Sequence, residues 1–131
     1  MNTTQRNNKF KEIFDKAHTN GLIAGNECIP TPMYVGTPTT PLGNDINPNK
    51  KVYKVAGGVC GFAWVHFAGN TSWGRWTKKK GLASKDYPNG LAVWVHEFGQ
   101  SMTRKSAYAR AFAKVLRNEG NIKAYARSRI D

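Results

Sequence analysis

A motif that returns after 30 residues most constrains what this chain can fold into. Trp64-Val65-His66 recurs as Trp94-Val95-His96, Gly69 as Gly99, and the polar pair Asn70-Thr71 as Gln100-Ser101. In each copy an apolar run ends, a glycine permits a turn, and a small hydroxyl residue stands where it can cap a helix. The repeat therefore predicts two strand-turn-helix units. They arise either from a common origin or from two units built under the same constraints.

The neighbouring sequence fits such units. Val52 to Ala56 reads as a short strand, Gly57-Gly58 as a tight hairpin turn and Val59 to Phe67 as a second strand. A short helix is expected over 71–80 and a loop over 84–90, followed by a strand over 91–98. The spacing predicts a long helix over 101–119, with Tyr108, Ala111, Phe112, Val115 and Leu116 on its buried face and Gly120 as the left-handed residue that ends it. A last strand is expected over 122–128. The order from residue 52 is ββαβαβ. Helices that serve as crossovers between parallel strands make this a small α/β (α+β) sandwich with a mixed sheet.

Upstream, Phe10, Ile13, Phe14 and Ala17 recur at helical spacing, and Asn20-Gly21 reads as the helix stop. The next stretch holds Pro30, Pro32, Pro38, Pro41 and Pro48, which deny a regular element its donors. The expected organisation is an N-terminal helix (1–24), a Pro/Thr/Gly-rich arm or linker (25–49) and a basic α/β domain (50–131). No run approaches the roughly 20 apolar residues of a membrane span, and no apolar leader follows the polar residues Asn2 to Arg6. A soluble protein that is not exported is therefore expected, with Cys28 and Cys60 as reduced, buried thiols and no cofactor.

The charge is unevenly placed. Residues 1–49 hold four Lys/Arg and four Asp/Glu, whereas residues 50–131 hold sixteen against four, so the whole net charge of +12 falls on the basic domain. Such a field calls for an anionic partner. The candidates are nucleic acid, a phosphorylated small ligand or an acidic host protein; a membrane is not among them.

If the repeated strands are parallel, both helix N-termini open at one edge of the sheet, where backbone N–H groups and the helix dipoles seat phosphate. Asn70, Thr71, Gln100 and Ser101 are the candidates there. Arg75, Lys78 and Lys79 flank Trp73 and Trp76, which read either as core or as an aromatic platform for bases. Arg110, Lys114 and Arg117 form a cationic stripe on the long helix with no acidic residue i±3 or i±4 from the first two. Arg104 and Lys105 stand in its first turn, against the dipole, as though an anion bound there. Arg127 and Arg129 project to one side of the last strand. His66 and His96 are equivalent in the repeat and are weak candidates for an acid/base pair on a phosphate ester; no metal-ligand set is apparent.

Three stretches carry a resemblance. Gly61-Phe62-Ala63-Trp64-Val65, the segment from Gln100-Ser101-Met102 through Ala113-Lys114-Val115-Leu116, and the ending Ala124 to Asp131 resemble small bacteriophage-encoded proteins of uncharacterised function. The resemblance covers residues 61–131. It implies expression in a bacterial host cytoplasm and a role with nucleic acid or against host defence. The expected function is non-enzymatic nucleic-acid binding through phosphate contacts. The alternatives are a pocket for a nucleotide second messenger at the helix N-termini, a metal-independent nuclease or phosphodiesterase, and an inhibitor of an acidic host protein.

Overall fold

The chain starts with a 25-residue helix, α1 (Thr3–Glu27), opened by a reciprocal cap in which the Asn2 side chain accepts from the Gln5 backbone N–H and the Gln5 side chain accepts from the Asn2 N–H. It does not stop at Asn20-Gly21. Ile13, Ala17, Gly21 and Gly25 recur every four residues and form its buried stripe. A Cβ on Gly21 would meet the Tyr108 ring at 2.7 Å, and one on Gly25 would meet the Phe98 ring at 2.3 Å. These glycines are points of close approach to two aromatic rings from the C-terminal half, so the stop signal was a packing signal.

The computed structural model describes residues 1–35, 53–55 and 57–131; residues 36–52 and 56, which include most of the expected arm, lie outside the described residues. β1 (Met33–Val35) and β2 (Tyr53–Val55) pair antiparallel as a separate two-stranded sheet. The expected hairpin from residue 52 to residue 67 is thereby corrected: β2 takes β1 as its partner. Gly58, at φ 76°, instead sets the chain against the Thr31 carbonyl, 2.8 Å from where a Cβ would sit.

The main sheet has four antiparallel strands in the order β4-β5-β3-β6. They are β3 (Gly61–Phe67), β4 (Ser84–Lys85), β5 (Leu91–Trp94) and β6 (Ala124–Ile130). Helices α2 (Ser72–Lys79) and α3 (Met102–Gly120) follow β3 and β5. The mixed α-and-β character matches expectation. The parallel pairing does not: Trp64 lies opposite Trp94 on an antiparallel neighbour. The short strand β4 supplies the reversal that a crossover would have avoided.

Strand alternation sorts the two sides of the sheet. Ala63, Val65 and Phe67 on β3, Leu91 and Val93 on β5, and Ala124 on β6 are buried beneath the helices. There they join Tyr108, Ala109, Phe112, Ala113 and Leu116 of α3 and Ile13 and Ala17 of α1 in one core. Trp73 and Trp76 anchor α2 in that core against Phe10, at ring separations of 5.4 and 5.7 Å. α3 runs through Gly120, and Asn121, at φ 51°, takes the left-handed role expected of that glycine. β5 ends at Trp94 because Phe98 (φ 69°) and Gly99 (φ 56°) turn the chain into α3.

Candidate functional site

Among the described residues no helix covers the second side of the sheet. Phe62, Trp64 and His66 of β3 point there, with Trp94 of β5 and Tyr125, Arg127 and Arg129 of β6 in register beside them. The two indoles lie 4.7 Å apart and are inclined by 34°, and Phe62 meets Trp94 edge-on. Both tryptophans are half-buried, and Tyr125 is 54% exposed. The Arg129 guanidinium lies over the Phe62 ring at 5.5 Å.

The carboxylate on this face is Asp86, from the turn between β4 and β5. It is 6% exposed and accepts from His66 Nδ1 at 2.6 Å, from the Trp64 indole N–H at 3.0 Å and from the Tyr87 backbone N–H at 2.7 Å. Burial pushes its pKa up. The bonds from His66, Tyr87 and Trp64 outweigh burial and hold the group below its ordinary value. Arg127 adds its charge from 4.0 Å.

At the end of β3 this face runs into a cleft of about 840 Å³. Three lysines from separate parts of the chain line it: Lys78 of α2, Lys85 of β4 and Lys123 ahead of β6, together with Asn70, Asn89, His66 and Tyr125. Among the described residues no carboxylate lines it. Gly90, at φ 81°, carries the β4–β5 turn so close that a Cβ there would meet His66 Cε1 at 2.5 Å.

Of the residues expected to bind phosphate, Asn70 and Lys78 reach this cleft. Thr71 is occupied as the N-cap of α2, accepting from the Gly74 N–H at 2.9 Å. The Arg75 guanidinium donates to the Asn70 carbonyl, and Lys79 is exposed in the last turn of α2. Gln100 and Ser101 are elsewhere. The Gln100 carbonyl accepts from Gly61 N at the start of β3, whereas Asn70 follows its end. A seven-residue strand, about 20 Å, separates the two helix N-termini. Antiparallel pairing thus puts them at opposite edges and removes the shared anion seat. Ser101 is 8% exposed, and its hydroxyl donates to the Gly57 carbonyl and accepts from Arg104 N–H.

The cations at the start of α3 have an internal explanation. Lys105 is 7% exposed with its ammonium 5.6 Å from the centre of the Phe62 ring, so no bound anion is needed to account for it. Arg104 is half-buried beside its N-cap. The α3 stripe is divided as well. Arg110 is exposed, Lys114 shares a groove with Lys16, Glu27 and Glu119, and Arg117 donates to the Ala124 carbonyl at 2.8 Å. Glu27 arrives from α1 and Glu119 stands five residues along α3, and neither falls at the i±3 or i±4 spacing from Lys114.

Trp73 and Trp76, 2% and 7% exposed, serve the core and offer no platform. His66 and His96 are no pair. His66 lies opposite Ala92, and His96 follows four residues later, about 13 Å along the strand direction. His96 is exposed, and its backbone N–H donates to its neighbour Glu97. Cys28 and Cys60 are free thiols but half-buried, not buried. Among the described residues no cluster of three His, Cys, Asp or Glu could hold a metal, and no helix is long and apolar enough to cross a membrane.

Comparison of the chain with protein-family models, with curated proteins and with solved structures found no match. The site therefore stands on its own geometry. Sequence reasoning missed Asp86, Lys85, Tyr125 and the outward role of Trp64 and Trp94. The alternation Phe62/Trp64/His66 and Tyr125/Arg127/Arg129 was the available signal, since each set must share one face of its strand.

Proposed function

We propose that this protein binds nucleic acid through its phosphates, as a non-enzymatic binder acting in the bacteriophage setting that its C-terminal half resembles. The observation that carries the reading is the cleft: Lys78 of α2, Lys85 of β4 and Lys123 from the segment ahead of β6 all line it, and among the described residues no lining carboxylate offsets them. Lysines on one helix face are ordinarily a solvated surface. Three spread around one concavity add up to a positive field inside it, which a bound anion neutralises. Phosphates are polyvalent and displace counterions, so the contact strengthens as salt falls.

The test is fluorescence anisotropy of a labelled 20-nucleotide strand titrated with the full chain at 50 and 200 mM salt. Binding that weakens steeply with salt supports the reading. Replacing Lys78, Lys85 and Lys123 together by Gln should flatten the log-log salt slope by roughly 2, at about 0.7 per lost contact on a single strand. Absence of binding at 50 mM salt, or affinity indifferent to salt, overturns it.

A further inference from the structure

We infer that the uncovered face of the sheet stacks the unpaired bases of a single nucleic-acid strand whose phosphates occupy the lysine cleft; this rests on the binding reading above and specifies its substrate. The face joins flat π surfaces to cations. The Trp64 and Trp94 indoles stack on each other, 4.7 Å apart and inclined by 34°, and both are only half-buried, so the pair keeps part of its surface toward solvent. Tyr125, 54% exposed, lies opposite His66 and also lines the cleft, so one ring belongs to both the aromatic face and the phosphate site. Arg127 and Arg129 stand beside Trp64 and Phe62 in the pairing of β3 with β6.

The charge of this face selects the occupant. The Asp86 carboxylate is buried and already holds His66, Trp64 and the Tyr87 N–H, with Arg127 at 4.0 Å, which leaves Arg129 and the cleft lysines to set the outward sign. An apolar protein partner would leave Arg129 and the cleft lysines without an anion, and an acidic one would leave the rings without partners. An unpaired strand satisfies both, with bases on the rings and phosphates on the cations. A duplex cannot, because its bases are already stacked within the helix.

The experiment compares one 20-nucleotide sequence as single-stranded DNA, as single-stranded RNA and as blunt duplex DNA, at equal salt, with the full chain. Anisotropy reports affinity, and intrinsic tryptophan emission reports stacking. The expected result is at least tenfold tighter binding of a single strand than of the duplex, with quenched tryptophan emission. Tyr125→Ala and Trp94→Ala should each weaken single-strand binding by about 5- to 100-fold and leave duplex binding within twofold. Tyr125 is exposed, so its variant keeps the fold even if Trp94→Ala does not. Equal affinity for duplex and single strand, or unchanged binding by Tyr125→Ala with unmoved emission, overturns the inference. If the triple lysine variant loses binding while Tyr125→Ala does not, stacking falls and phosphate binding stands. If no nucleic acid binds and the chain instead self-associates through this face, both fall.

Discussion

His66 donates from Nδ1 to Asp86 at 2.6 Å, and this bond joins β3 to the turn between β4 and β5. Because the Asp86 pKa is lowered in the fold, the ionised carboxylate stabilises the protein above its unfolded value of about 3.9. That contribution is lost as the pH falls through the lower folded value. Asp86→Asn should cost about 1–3 kcal/mol at pH 7. The gap from the wild type should narrow as the pH drops below about 4. Urea unfolding at pH 7, 4 and 3 measures it; a gap that stays constant would show that the charge contributes nothing.

Gly21 supplies a second expectation. Alanine is the better helix former by about 1 kcal/mol, yet its methyl would press on the Tyr108 ring. Tyr108 is held in place by its bond to His18, and burial, with the nearby Glu97 charge, pushes its hydroxyl pKa up. Gly21→Ala should therefore lower stability by about 1–3 kcal/mol. A thermal melt decides it, since a raised midpoint would mean that the two helices can separate without cost.

The four tryptophans should divide by face. Trp73→Ala removes a ring wedged among Phe10, Phe14, Phe67 and Trp76, and should cost about 3–5 kcal/mol. Trp94→Ala empties a partly solvated position and should cost clearly less. Denaturant midpoints of the two variants, measured side by side, would contradict this assignment if their order were reversed.

Charge removal on the helix layer should leave binding alone. Arg110 and Lys114 belong to α3, which packs under the sheet, and Lys114 already has Glu27 and Glu119 in its groove. The double variant Arg110→Gln/Lys114→Gln should keep oligonucleotide affinity within about threefold, the residual effect being long-range field. A loss as large as that of the cleft lysines would relocate the site to the helices.

The local grammar of this chain was legible. Thr71 and Ser101 were placed correctly as helix caps, and Arg127 and Arg129 do share a side of β6. Partners were not legible, because period-two alternation defines the two faces of a strand but neither its neighbour nor which face is covered. Alternation alone therefore does not tell that Trp64 faces away from the core that holds Trp73. Gly21 misled for a related reason. A glycine that ends a helix and one that admits a neighbouring ring look alike until the ring, from residue 108, is in place. Lys85 and Lys123 lie 38 residues apart and come to line one cleft only through the strand order β4-β5-β3-β6.

With Trp64 paired to Trp94, the repeat closes on itself. Motifs related by translation along the chain are related in space by a local two-fold axis passing through that pair. Taken alone, such a surface would read the same from either end. The end that carries His66 has Asp86 and the lysine cleft, whereas the end that carries His96 has its own Glu97. The broken symmetry gives the surface a head and a tail, so a chain lying along it has a direction.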